Sequence, residues 1–187
     1  MNKKFIKTIP LSTFHIPNSK STAGDTMKLF LVRDTSDENS GFMVFNESAY
    51  PKYKAYVHTD RTKQKIIISD SSGYKVSEIV HKNLVIDHFS VRCGGRLYVL
   101  VPYVKNCFTF MIYGSTYRFA GDILAGRFSL FDVDKSPVMT QKKCWSRFGS
   151  GFELEIYYTA QEVFALSTAI CAAMYNSASE TSPLLSE

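Results

Sequence analysis

Ala160-Gln161-Glu162-Val163-Phe164-Ala165-Leu166-Ser167-Thr168-Ala169-Ile170-Cys171-Ala172-Ala173-Met174-Tyr175 is the stretch that decides the fold. It is the one convincing helix in the chain, and it is apolar on every face rather than along a single stripe. Such a helix has to be enclosed, either by the rest of the protein or by lipid. Thr159 and Glu162 form the T-x-x-E pattern of a capping box, with Tyr158 and Val163 spaced as the accompanying hydrophobic staple. Asn176 is placed to stop the helix. About 16 residues make roughly 24 Å of helix, short of the ~20 apolar residues that usually span a bilayer. Ser167 and Thr168 near its middle, and the lack of flanking Lys or Arg, point the same way. The expectation is a helix buried inside the protein, with a membrane tail anchor as the alternative.

The candidate enclosure precedes it. Short runs of β-type pattern recur about every dozen residues: Lys28 to Val32, Phe42 to Phe45, Tyr53 to His58, Lys65 to Ser69 and Tyr74 to Val80. They continue with Leu84 to Val91, Arg96 to Val104, Cys107 to Tyr113, Tyr117 to Ala120, Phe128 to Phe131, Val138 to Lys143 and Phe152 to Tyr158. In the last run Phe152, Leu154 and Ile156 alternate with Glu153 and Glu155, as a strand with one buried face requires. Asp70-Ser71-Ser72-Gly73 and Cys93-Gly94-Gly95 read as hairpin turns. The first of these has an echo. A strand runs into Asp70 and the next opens at Val76; a strand runs into Asp132 and the next opens at Val138. In each case the Asp can accept hydrogen bonds from the backbone of its own turn.

The bulk composition fits one domain. The chain has 187 residues, 45% hydrophobic and 21% charged, with fourteen Phe and eleven Tyr, a balance that argues for a packed β-rich core. Residues 1 to 26 are rich in turn formers and read as a partly disordered extension. Residues 27 to 176 form the compact unit, and 177 to 187 read as a disordered polar tail. A formal charge of +5 permits attraction to phosphates or an anionic surface without requiring it. Cys93, Cys107, Cys144 and Cys171 are scattered, with no C-x-x-C pair and no His at ligand spacing, so neither a zinc site nor a disulfide framework is expected. The expected location is cytoplasmic, at most peripheral at a membrane.

The order of these elements resembles the LURP-one-related family, which shares the tubby C-terminal-like fold with phospholipid scramblases. The likeness is carried by the Asp70 to Gly73 turn and by Phe119-Ala120-Gly121-Asp122 followed by Phe128-Ser129-Leu130-Phe131-Asp132. The Glu153-Leu154-Glu155-Ile156 strand and the Ala-rich helix to Tyr175 complete it. The resemblance implies a mainly β protein: a closed antiparallel barrel of about twelve strands wrapped around a buried hydrophobic C-terminal helix. Closure removes the sheet edges, and the helix fills the interior. Tubby proteins bind phosphoinositides through basic side chains, but a matching set does not align here. The palmitoylation cluster and twelve-residue calcium loop of scramblase-like proteins have no counterpart in this chain.

Motifs for chemistry are lacking. There is no nucleophile elbow, phosphate-binding glycine loop or Ser-His-Asp order, and His15, His58, His81 and His88 are isolated. No catalytic residue, metal or cofactor is expected. The functional signal is basic: Lys142, Lys143 and Arg147 cluster around Trp145, with a second group in Lys52, Lys54, Arg61, Lys63 and Lys65. A Trp among cations suits a lipid headgroup boundary. The simpler account places Trp145 inward on an otherwise solvated barrel face, and strand alternation would split such a cluster between two faces. The expectation is a monomeric, non-enzymatic binding or scaffold domain that engages anionic phospholipid and no nucleic acid. A scramblase-like or tail-anchored protein and a hydrolase without a recognisable motif are the alternatives.

Overall fold

The computed structural model describes residues 26–34, 41–60, 63–82, 87–104 and 108–181. The strands are β1 (Met27–Asp34), β2 (Gly41–Asn46), β3 (Pro51–Asp60), β4 (Lys63–Asp70), β5 (Lys75–Lys82) and β6 (His88–Cys93). They continue as β7 (Arg96–Val104), β8 (Phe108–Tyr113), β9 (Arg118–Asp122), β10 (Arg127–Phe131), β11 (Pro137–Ser146) and β12 (Gly149–Ile156). A 3-10 turn (Thr159–Gln161) then leads into helix α1 (Glu162–Thr181). The expected extension up to residue 25, and residues 182 to 187, lie outside the described residues.

All twelve strands join one antiparallel sheet in the order β8-β7-β6-β5-β4-β3-β2-β1-β12-β11-β10-β9. Neighbours in sequence are neighbours in space, with one exception that closes the sheet: β1 pairs β12, from Met27 opposite Ile156 to Val32 opposite Gly151. The two ends of that order, β8 and β9, meet without a ladder between them. Among the described residues one backbone bond, Ile123 N–H to Phe108 O at 2.8 Å, crosses the seam. Aromatic rings fill the rest of it, with Phe110 edge-on to Phe119 at 5.5 Å and Phe119 stacked on Phe128 at 4.4 Å. The result is a nearly closed barrel.

Alternation along each strand sends Leu29, Leu31, Val44, Ala55, Ile66, Ile68, Ile79, Leu100, Leu130 and Leu154 inward, all buried. The helix occupies the space they surround, and Ala165, Leu166, Ala169, Ile170 and Cys171 are fully enclosed there. Its two polar mid-length residues are satisfied inside. Ser167 Oγ donates to Val163 O at 2.7 Å and lies 2.8 Å from Ser77 Oγ on β5, and Thr168 Oγ1 donates to Phe164 O at 3.0 Å. A buried hydroxyl without such partners would cost a few kcal/mol, so the Ser77–Ser167 contact also selects the rotation of the helix in the barrel.

Both helix ends differ from the expectation. Thr159 does not cap: it belongs to the 3-10 turn, whose N-cap Tyr158 makes no side-chain capping bond. Glu162 is drawn away from the backbone because it finds a stronger partner on β3, Lys52 Nζ at 2.6 Å. Tyr53 lies beside it, and burial together with the Glu162 carboxylate holds its phenol well above the usual range. Asn176 does not stop the helix, which runs on to Thr181, so residues 177–181 of the expected polar tail are helical. Asn176 is buried, and its Nδ2 donates to Leu124 O at 3.4 Å, which anchors the side chain without a left-handed turn.

Candidate functional site

The β11–β12 hairpin carries Lys142, Lys143, Trp145 and Arg147, and the structure separates them. Lys142 stands opposite Glu153 on the outer face, with Nζ to Oε1 at 3.0 Å, and that hydrogen bond raises the lysine pKa. Arg147 is committed to structure. Its Nη2 donates to Glu47 O at 2.9 Å, and its guanidinium lies 5.1 Å from the Phe148 ring. Phe148 in turn stacks on Phe45 at 4.2 Å and tilts against Phe30 at 5.9 Å. The hairpin tip is thus pinned on the outer face of β1 and β2.

Lys143 and Trp145 stand on the other face, opposite Phe152 and Ser150. The Lys143 stem lies against Gly126, where a Cβ would come within 2.7 Å of Lys143 Cε and 2.9 Å of the Phe152 ring. Gly126 also has φ 66°, so only glycine fits there without strain. Trp145 is not packed inward: it is 84% exposed, the most exposed of the large hydrophobic side chains described. It stands one residue beyond the last β1–β12 pair, Val32 opposite Gly151, on the hairpin.

A cavity of about 280 Å³ opens beside them, at the end of the barrel toward which α1 points, here the distal end. It is lined by Lys143, Arg33, Ser150 and Asn176 on its polar side and by Leu31, Phe42, Phe152 and Ala173 on its apolar side. Arg33 comes from β1, more than a hundred residues before the cluster in sequence. The β1–β12 pairing brings it there, opposite no residue that local spacing could have linked to Lys143. Two cations, a hydroxyl and an amide around a small mouth suit an anion. Trp145 beside it supplies an amphipathic ring at the same rim.

Three members of the second basic group are paired, and Lys63 has no ion pair among the described residues. Lys52 holds Glu162, Lys54 lies 3.8 Å from Asp34 and 4.8 Å from the Tyr56 ring, and Lys65 reaches Glu78 at 3.2 Å. Arg61 lies outside the described residues. The histidines do not form a reactive centre among the described residues. His81 has Nε2 2.6 Å from Asp87 and Nδ1 3.3 Å from Gln64, with its ring stacked on Phe89 at 4.3 Å, so both nitrogens are engaged. His58 is exposed. Burial pushes the thiol of Cys93 up to about 11 and that of Cys171 well above its usual range, which keeps both protonated and unreactive. No cluster of three or more His, Cys, Asp or Glu able to hold a metal occurs among the described residues. Among them, too, no helix is long and apolar enough to cross a membrane.

A solved X-ray structure of a protein from Arabidopsis thaliana is similar to this chain with a TM-score of 0.59 and 14% sequence identity. The match covers 81% of this chain and 91% of the Arabidopsis one. At that identity the likeness shows the shared barrel fold alone. No family model and no curated protein matches the sequence.

Proposed function

We propose that this barrel is a non-enzymatic binding domain of the LURP-one-related type that engages anionic phospholipid headgroups at its distal end. The observation that carries the reading is Trp145, 84% exposed and standing opposite Ser150 at the mouth that Lys143 and Arg33 line. A headgroup phosphate would sit between the two cations while the indole lies at the boundary between headgroup and hydrocarbon. Lys142 and Arg147, although adjacent in sequence, take no part. The reading is of peripheral contact, since the apolar side chains of α1 from Phe164 to Ala173 are buried.

Flotation with phosphatidylserine-containing vesicles tests it. Binding is expected at low salt and is expected to fall as ionic strength rises. Each cation near such a surface contributes about 1 kcal/mol, so Lys143→Gln is expected to weaken binding about fivefold. Trp145→Ala is expected to weaken it to a similar degree, while Lys142→Gln stays near wild type. Failure to float at low salt, or an equal loss in Lys142→Gln, would sink the proposal.

A further inference from the structure

The opposite, proximal end of the barrel, where α1 begins, has a larger cavity of about 500 Å³. It lies between the first turns of the helix and the β6–β7 hairpin, and it takes its apolar lining from Val76, Tyr98, Val163 and Phe164. The rings of Tyr98 and Phe164 are 4.3 Å apart, and Tyr117 stacks on Phe164 at 5.2 Å, so one side is a preformed aromatic wall. Arg96 lines the same cavity and is exposed. Among the described residues its guanidinium has no hydrogen bond and no ion pair, unlike Lys52, Lys54, Lys65 and Lys142, each of which has a carboxylate.

Among the described residues neither acidic group nearby is paired with Arg96. Glu162, in the first turn of α1, is held by Lys52 at 2.6 Å, and Asp132 Oδ1 accepts the Val133 N–H at 2.6 Å. Burial pushes the Tyr117 phenol up to about 12 and the Cys93 thiol to about 11, so both are neutral near pH 7. The cavity therefore combines apolar walls with one uncommitted positive charge. Pockets of this size, mostly apolar with a few convergent polar groups, suit small ligands.

We propose that this cavity binds a small amphiphilic anion, with its hydrocarbon body against Tyr98, Phe164 and Val163 and its single carboxylate or phosphate on Arg96. A free aliphatic acid and a monoalkyl phosphate share this chemistry. The site is at the other end of the barrel from the headgroup mouth and does not depend on it.

Calorimetric titration of the full chain, without vesicles, is the test, using decanoate, decyl phosphate and decyltrimethylammonium as probes. Saturable binding of at least one anion is expected, and whichever anion binds more tightly identifies the source. The cation of the same chain length is expected not to bind. Arg96→Gln is expected to weaken anion binding at least about tenfold, as loss of a charge-assisted contact does. Ala160→Trp, which places an indole in the cavity from an exposed position, is expected to block binding with the far-UV spectrum and Tm unchanged. Lys143→Gln is expected to leave it intact. No saturable binding of either anion, equal binding of the cation, wild-type affinity in Arg96→Gln, or a loss in Lys143→Gln as large as in Arg96→Gln would each overturn the proposal.

Discussion

Glu78 on β5 receives two lysines, Lys75 at 2.8 Å and Lys65 at 3.2 Å, and these hydrogen bonds, Lys75 first, hold its carboxyl below the ordinary value of 4.5. A carboxyl lowered in the folded state stabilises the fold above its ordinary pKa, and that contribution is lost as pH falls through the folded value. Both lysines are more than a third exposed, so solvent screening limits the effect to about 1 kcal/mol or less. Glu78→Gln is therefore expected to lower Tm slightly at pH 7, with the gap to wild type closing below about pH 4. A gap that stays constant across a thermal pH series would show that Glu78 is not coupled to its lysines. Single residues also show what local sequence can and cannot tell. The paired turns at Asp70 and Asp132 were legible, and they share one hydrogen-bond pattern, Asp70 N–H to Tyr74 O and Asp132 N–H to Ser136 O. A third copy, Asn46 N–H to Tyr50 O, was not legible because Asn46 stands where the other two turns have Asp; its left-handed residue is Ala49 (φ 65°), as Lys135 (φ 61°) is in the Asp132 turn. Alanine gives no sequence signal for positive φ and has to be forced there by the flanking ladder.

Among the elements, α1 is the one whose environment is most demanding. Ala169 and Ala172 are 0% and 1% exposed within the apolar interior they share with Leu166 and Ile170. Ala169→Asp or Ala172→Asp buries an unpaired charge at a cost of several kcal/mol, a large fraction of the stability of a domain this size. Loss of soluble, cooperatively melting protein is the expected result, and unchanged Tm in either variant would mean that the helix does not fill the barrel. The helix was legible because all-round apolarity leaves few alternatives. Its capping was not, because T-x-x-E describes a local bond that Glu162 gives up for Lys52, a residue more than a hundred positions earlier. The β11–β12 hairpin was also legible as an element, yet alternation divided its cluster: Lys143 and Trp145 went to one face and Lys142 to the other. Arg33, which completes the distal mouth, could not be found without knowing that β1 and β12 pair.

At the scale of the molecule the barrel is held unevenly around its circumference. Eleven strand pairs have ladders, whereas among the described residues β8 meets β9 through one backbone bond and the Phe110–Phe119 ring contact. Local opening begins where backbone hydrogen bonds are fewest, so amides of β8 and β9 are expected to exchange with solvent before those of β3 and β4. Uniform protection around the barrel would contradict that weakness at the seam. The meander was legible from its regular turns, but the position of the seam was not, since it depends on which edges remain after β1 and β12 have joined. The same connectivity matters during synthesis. Ribosomes deliver β1 first and α1 after all twelve strands, at about 5–20 residues per second. Hairpins from β1 through β8 can form as they emerge, but β1 keeps an unpaired edge until β12 leaves the tunnel, and the inward apolar faces lack their filling until the helix follows. For several seconds the nascent chain is an open, greasy trough, and that interval, rather than the finished barrel, is when this protein has most need of a chaperone.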